Sequence, residues 1–212
     1  MMHISNLTIL PYTGEEEIIK QNSRFFYTKI SEPVSSMIVL GASNKPEKEL
    51  HVEAVIKDNI PVYKRKGGGG TVLLAPGMAV ITLKAVVKNP YKNKQYFDLI
   101  HSFIIDTLFE KTGIKVELKG ISDLVIGNKK ILGSSIYRHK QILLYQGVLL
   151  VEAGLNRIGA YIKHPKQEPA YREGRNHHDF VANITQFYPE CHTKRVIKYL
   201  QEAFHKSFCI TE

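Results

Sequence analysis

The sequence has few cysteines, no long apolar run and no apolar core near its N-terminus. Cys191 and Cys209 are the two cysteines among 212 residues, too few for a disulfide framework or a cysteine-rich metal site. Neither lies in a motif that activates a thiol, so both are interpreted as ordinary thiols. No apolar stretch approaches the roughly 20 residues of a membrane span, and no secretory signal is recognisable. These absences predict a soluble, cytoplasmic protein without membrane partners.

Acidic residues are outnumbered by basic ones. The 29 lysines and arginines against 20 aspartates and glutamates give a formal charge of +9. Such a charge favours an anionic partner, such as a nucleotide, an acidic protein, a membrane surface or nucleic acid. The sequence lacks a nucleic-acid motif, a stacked-aromatic pattern and a long basic tail, so nucleic acid is disfavoured. The simpler alternative is a basic protein whose charge has no specific partner.

Residues 64–74 contain three basic residues, then four glycines, then a short run of β-branched and aliphatic residues. The stretch is not a Walker loop, because Thr71 follows the last glycine without the required lysine. It also lacks the spaced glycines of a dinucleotide-binding motif. Consecutive glycines between two predicted strands indicate a loop on which a phosphate or acyl-phosphate can lie directly. The alternative is a solvated hairpin loop or a linker.

Hydrophobic periodicity predicts an α+β domain built on a mainly antiparallel sheet with flanking helices. The predicted strands cover residues 4–10, 25–30, 37–40, 61–63, 71–74, 78–87, 115–118, 123–126, 130–138 and 141–151. The predicted helices cover residues 13–22, 47–58, 93–111, 155–162 and 194–208. The strands at 71–74 and 78–87 are predicted to form a hairpin behind the glycines.

Two polar stretches in the second half are candidates for chemistry. In residues 127–135, Lys130 stands at the mouth of a strand, followed by a glycine and two serines that would leave room for a ligand. The alternative is a β-turn with two solvated lysines. Residues 163–179 are polar and aperiodic, which is typical of a loop that a ligand orders; their three histidines are weak support for a metal site.

Several short motifs follow one another in a defined order. They are Arg65 with Gly68, Gly69, Gly70 and Thr71-Val72; Ser122-Asp123-Leu124; Gly127-Asn128-Lys129-Lys130-Ile131-Leu132-Gly133-Ser134-Ser135; Gly147-Val148-Leu149-Leu150; and Val181-Ala182-Asn183-Ile184. Together they resemble the catalytic domain of lipoate-protein ligases, in the biotin and lipoate A/B protein ligase family. The match runs from about residue 4 to the C-terminus and implies that family's fold.

The resemblance implies roles for individual residues. Lys130 resembles the family's catalytic lysine, which contacts the acyl carboxyl group and the phosphate of an acyl-adenylate. Arg65 and the glycines resemble the loop along the acyl chain and phosphate, and Asp123 resembles an aspartate near the nucleotide. The remaining pocket residues that the resemblance implies are Ser43, Asn44, Thr71, Val72, Gly133, Ser134, Ser135 and Gly147. None of these residues is expected to bind a metal ion.

The activity implied by the resemblance is ATP-dependent attachment of lipoate or octanoate to a lysine of a lipoyl-acceptor domain, with Mg²⁺. The chain is expected to be a single catalytic domain over residues 1–212, without a C-terminal accessory domain. Leu74 and Ala75 stand where such ligases usually have His-Asp, and Gln146 replaces a histidine. A separate accessory subunit is therefore an expected partner for adenylation.

Three alternatives remain open. Related transferases of octanoyl or lipoyl groups use a cysteine shortly before the lysine motif, and residues 116–121 contain none. A non-catalytic lipoyl- or acyl-binding protein would keep the pocket without the reaction, and Lys130→Ala would then only weaken binding. Biotin ligation is possible within the same fold, although the residues after the glycines fit the lipoate pattern better.

Overall fold

The chain forms two β-sheets with helices packed around them. The computed structural model describes residues 7–20 and 25–208. In chain order the helices and strands are β1 (Ile9–Pro11), α1 (Gly14–Lys20), β2 (Phe26–Ser31), β3 (Met37–Leu40), α2 (Pro46–Glu49), α3 (Val52–Lys57), β4 (Val62–Lys64), β5 (Val72–Leu74), β6 (Met78–Val86), α4 (Asn93–Thr112), β7 (Glu117–Lys119), β8 (Asp123–Ile126), β9 (Lys129–His139), β10 (Ile142–Leu150), α5 (Asn156–Tyr161), α6 (His177–Phe180) and α7 (Thr193–Phe208).

The larger sheet is six-stranded and antiparallel, in the order β2-β6-β10-β9-β8-β7. Helix α4 buries Phe97, Ile100, Ile104 and Leu108 in the main core, as their helical spacing predicts. The helix ends at Gly113, whose left-handed conformation lets its N–H bond to the carbonyl of Phe109. These elements confirm the predicted fold class.

The smaller sheet is mixed, in the order β1-β4-β3-β5. Strands β1 and β3 both run parallel to β4, whereas β5 runs antiparallel to β3. The almost wholly apolar β3 lies inside this sheet, with Ile38 and Leu40 fully buried. The sequence patterns did not separate this sheet from the larger one.

The predicted hairpin between residues 71–74 and 78–87 is wrong. Strand β5 pairs with β3, whereas β6 lies between β2 and β10 in the other sheet. Gly77 turns the chain with a φ of 85°, and its carbonyl accepts hydrogen bonds from the N–H groups of Val151 and Glu152. These bonds attach the turn to the end of β10, so the chain crosses between sheets here.

The predicted helix over residues 47–58 is broken in the middle. Leu50 is extended, with φ −119° and ψ 148°, and forms an antiparallel bridge to Ile162. It is fully buried in the core of the smaller sheet. Burial and β pairing at this one residue therefore override the helical periodicity on either side.

Some predictions fall outside the described part of the chain. These are the start of the first predicted strand, the end of the first predicted helix, and Cys209. Within the described residues, no helix combines the length and the apolarity needed to cross a membrane.

Candidate active site

A cavity of about 800 Å³ is lined by strands of both sheets and by the segment from Lys163 to Val181. Eleven of the predicted site residues line it: Arg65, Gly69, Gly70, Thr71, Val72, Asp123, Lys130, Gly133, Ser134, Ser135 and Gly147. Its apolar lining comes from both sheets and includes Val39, Leu74, Val80, Val148 and Leu150. The structure thus brings together motifs that are up to 82 residues apart in the sequence, from Arg65 to Gly147.

Lys130 reaches the cavity because of an irregularity in β9. The pairing of β9 with β8 shifts by one residue, so that Leu132 pairs with Leu124 but Lys130 pairs with Val125. Regular alternation counted back from Gly133 would place Lys130 on the opposite face of the sheet. The β-bulge at Ile131 instead lets Ile131 remain buried while Lys130 lines the cavity.

The amine of Lys130 is held by an ion pair beside a glycine. Its Nζ lies 2.8 Å from Oδ1 of Asp123, and the Asp123 side chain is only 8% exposed. A Cβ on Gly133 would lie 2.7 Å from both Cε and Nζ of Lys130, so glycine is the residue that leaves space for the amine. The same amine lies 5.9 Å from the centroid of the Phe180 ring.

Asp123 has a second partner that the sequence did not indicate. The hydroxyl of Tyr171 donates a 2.8 Å hydrogen bond to Oδ2 of Asp123. Burial, and then the nearby carboxylate of Asp123, raise the pKa of Tyr171, so the phenol remains a protonated donor. Both oxygens of Asp123 are therefore engaged, each by a different side chain.

The glycine loop is held by its carbonyl groups. Nε and Nη2 of Arg65 donate to the carbonyl of Gly68, and Nη2 also donates to that of Gly70 at 2.8 Å. The carbonyls of Gly67 and Gly69 accept from the Ala42 N–H and the Asn44 side chain. Among the described residues, the N–H groups of residues 68–70 have no acceptor. The arrangement leaves loop N–H groups available to an anion.

Not every predicted residue lines the cavity. Ser43 is exposed and makes no contact with it, so its predicted place in the pocket is not supported. Gly68 is likewise exposed and acts through its carbonyl. Asn44 lies behind the loop, where its amide also donates to Oγ1 of Thr71, which in turn donates to Glu49. Asn44 therefore orders the loop without lining the cavity.

A buried carboxylate supports the glycine loop from behind. Glu15 is fully buried on α1 and accepts a 2.9 Å hydrogen bond from the N–H of Lys66. Burial raises the pKa of Glu15, against the opposing effect of that hydrogen bond and of Arg65. The contact joins residues 51 positions apart, and no local sequence signal could have identified it.

A buried histidine lies behind the serines of β9. Nε2 of His101 lies 3.0 Å from Oγ of Ser134 and 3.2 Å from the hydroxyl of Tyr145. Burial lowers the pKa of His101 to about 4, so the imidazole is neutral near pH 7. A Cβ at position 147 would lie 2.7 Å from the Tyr145 hydroxyl, so Gly147 is the residue that fits beside Tyr145. Ser134 lines the cavity, whereas His101 and Tyr145 lie behind that lining and hold it in place.

The segment 163–179 contributes cationic residues to the cavity. Arg172 is 4% exposed, and its guanidinium lies 4.6 Å from the centroid of the Phe180 ring. Nε of Arg172 donates to the carbonyl of Arg175, whereas Nη2 has no hydrogen-bond partner among the described residues. The histidines of this segment do not form a metal site, because no group of three potential ligands meets in the described part of the chain.

Comparisons with known proteins agree with this geometry. The family model described as the lipoyl protein ligase A/B catalytic domain matches residues 6–205. A solved structure of a bipartite lipoate protein ligase and its E2 lipoyl domain from Thermoplasma acidophilum is 19% identical, with a TM-score of 0.77 over 94% of this chain and 81% of the other. The crystal structure of lipoate-protein ligase A bound with ATP is 20% identical, with a TM-score of 0.75. The match covers 94% of this chain and 84% of that one.

The structure of P. falciparum LipL1 in complex with lipoate is 18% identical, with a TM-score of 0.71. The match covers 88% of this chain and 51% of that one, so the chain spans about half the length of LipL1. The structural similarities show a common fold, and the family match covers nearly the whole chain. The resemblance inferred from the motifs is confirmed: this chain belongs to the lipoyl protein ligase A/B catalytic domain family, a family of ligase enzymes.

Proposed function

We propose that this protein attaches lipoate or octanoate to a lysine of a lipoyl-acceptor domain, using ATP and an acyl-adenylate intermediate. The observation that carries the proposal is Lys130, whose amine is fixed in a cavity that also holds the glycine loop and a long apolar lining. The relatives with bound lipoate and with bound ATP support the same two substrates.

The acyl chain would lie along the apolar side chains of both sheets. Burial contributes about 0.8 kcal/mol for each methylene, so an eight-carbon chain would derive much of its affinity from these walls. The carboxyl end would then point toward Lys130 and the glycine loop, which belong to the polar part of the lining.

The charged end of the intermediate requires cations and N–H donors. Lys130 and the N–H groups of Gly69 and Gly70 belong to the cavity lining and are available for the phosphate and the acyl carbonyl oxygen. In the transfer step the acceptor amine attacks the acyl carbon, a C–N bond forms, the C–O bond to AMP breaks, and the amine loses a proton. This reaction needs no nucleophile from the enzyme.

The cysteine-dependent alternative has less support. Cys191 is buried, lies outside the cavity lining, and has a pKa raised by burial. A transferase would need a reactive thiolate at the acyl carbon. Among the described residues, no cysteine meets that requirement.

Mg²⁺ fits this lining as an ion bound together with the nucleotide. In such sites one or two carboxylates and the substrate phosphates hold the ion. Asp123 and Glu49 are the carboxylates that line the cavity; because Lys130 and Tyr171 engage both oxygens of Asp123, Glu49 is the one that could contribute an oxygen. When bound, the ion would neutralise phosphate charge during adenylation.

We further propose a separate accessory subunit for the adenylation step. The bipartite archaeal ligase supports this assembly, and its E2 lipoyl domain supports a lipoyl domain as acceptor. The formal charge of +9 would favour an acidic acceptor surface. The single-domain organisation of this chain stays a prediction.

The test is the intact mass of a lipoyl-acceptor domain after incubation with the protein. One reaction contains Mg-ATP and lipoate, and the other contains pre-formed lipoyl-adenylate. Modification in both indicates a complete ligase, and modification with the adenylate alone indicates that adenylation needs a partner. Modification in neither refutes the proposal.

Two variants separate catalysis from simple binding. Lys130→Ala should abolish modification, whereas Lys94→Ala should not, because Lys94 pairs with Asp98 on the exposed face of α4. If Lys130→Ala modifies the acceptor as fast as the unmodified protein, the catalytic assignment is wrong.

A further inference from the structure

We propose that Tyr171 is a positioning residue that holds Lys130 in its reactive place through the carboxylate of Asp123. The inference deepens the proposed function and rests on it. Tyr171 belongs to the short helical turn Ala170–Arg172, within the polar segment that lines the cavity. It is 41 residues from Lys130 in the sequence.

The first step of the argument is the geometry of the carboxylate. Asp123 accepts from Lys130 on Oδ1 and from Tyr171 on Oδ2, both at 2.8 Å. The carboxylate cannot rotate about its Cβ–Cγ bond without breaking one of these bonds. Because the Asp123 side chain is nearly buried, water is a poor substitute for either donor.

The second step is that Lys130 has few other constraints. Its side chain is 26% exposed, and the absent side chain of Gly133 leaves it space. A long, partly exposed lysine side chain samples several rotamers unless a partner fixes its amine. A carboxylate of fixed orientation therefore determines where the amine stands.

The third step is that Tyr171 is itself held in place. Its ring lies 5.3 Å from that of Phe180, and Nζ of Lys119 lies 5.4 Å from its centroid. Lys119 is tied in turn to Asn128 by a 2.7 Å hydrogen bond. The tyrosine is thus a rigid donor that connects the polar segment to the lysine on β9.

The test compares two tyrosine variants. Tyr171→Phe removes the hydroxyl on Asp123, and Tyr161→Phe removes a matched 2.8 Å hydrogen bond to Asp58 outside the cavity lining. A hydrogen bond to a charged group is worth roughly ten- to a hundredfold in an equilibrium or rate. Tyr171→Phe should lower the single-turnover rate of transfer from lipoyl-adenylate by about that factor, with little change in half-saturating concentration. Tyr161→Phe should not.

A double-mutant cycle distinguishes positioning from general damage. In an Asp123→Ala background the Tyr171→Phe change should cost no further rate, because its effect on Lys130 passes through the missing carboxylate. An additive loss would mean that Tyr171 acts independently of Asp123 and Lys130. A Tyr171→Phe rate equal to that of Tyr161→Phe would also overturn the proposal.

A crystal structure of Tyr171→Phe tests the inference without activity. The carboxylate of Asp123 should rotate in this variant. The 2.8 Å contact between Lys130 and Asp123 should then be absent, or present in only one of several side-chain conformers. A single, unchanged ion pair would refute the positioning role. If the unmodified protein does not transfer lipoate, the proposed function fails, but this structural result still decides the inference.

Discussion

Replacing Gly133 by alanine would push Lys130 out of position while leaving its chemistry unchanged. The new Cβ would lie 2.7 Å from Cε and Nζ of the lysine, whereas ordinary contact begins at 3.4 Å. The amine must therefore retreat by about 0.7 Å, the difference between these two distances. Gly133 does not have a positive φ, so the backbone itself accepts alanine.

The displacement is large compared with the tolerance of a reacting geometry. A misplacement of about 1 Å can cost roughly a hundredfold in rate. We therefore expect Gly133→Ala to lower transfer from lipoyl-adenylate by between about tenfold and a hundredfold. The melting temperature should change little, because the atoms in conflict are the end of a flexible side chain.

The assay is single-turnover modification of the acceptor domain, followed by intact mass. Gly154→Ala is the matched control, because its Cβ would meet its nearest neighbour at an ordinary 3.6 Å outside the cavity lining. A Gly133→Ala enzyme as fast as Gly154→Ala would show that the position of the lysine amine does not limit transfer.

Two buried titratable groups predict opposite dependences of stability on pH. Because burial raises the pKa of Glu15 above 4.5, the folded state keeps its proton to higher pH than the unfolded chain, and stability falls as the pH rises through the folded pKa. Melting temperatures measured across this pH range should fall in the unmodified protein and fall less in Glu15→Gln. If the two proteins show the same dependence of melting temperature on pH, the burial argument is wrong. Because burial lowers the pKa of His101 from 6.5 to about 4, its contribution is complete above pH 6.5 and is lost as the pH falls toward 4. His101→Gln should melt with a shallower acid dependence between those values, and an unchanged slope would mean that the imidazole titrates normally.

Local periodicity was sufficient for the regular elements of the fold. Each of these signals is local in the sequence. Examples are the apolar spacing within α4, the glycine that follows its last turn, and the continuous apolar run of β3. Such signals reflect which face of an element is buried, so they predict elements well. They do not specify which strands pair, and the two separate sheets were accordingly missed.

The candidate site depended on the order of motifs. The composition around Lys130 and in the glycine loop indicated a ligand site. Their individual roles came from the resemblance to the family, and those roles stay predictions. The contacts that shape the site join distant residues: Tyr171 to Asp123 across 48 positions, and Lys66 to Glu15 across 51. A single sequence carries no local signal for such pairs. The bulge that turns Lys130 toward the cavity is likewise a property of strand pairing.

The bridge between Leu50 and Ile162 has a counterpart at the other end of the polar segment. Lys130 and Val181 form a parallel bridge, and the N–H of Ala182 donates to the carbonyl of Lys130. The intervening chain is therefore a loop closed at both ends by backbone pairing, to Leu50 between α2 and α3 at one end and to β9 of the larger sheet at the other. A protease that cut within this loop would leave both sheets in the N-terminal fragment, and the C-terminal fragment would stay bound because α7 buries Val196, Leu200 and Phe204 in the main core. Nicked protein would then migrate as one species under native conditions and as two after denaturation.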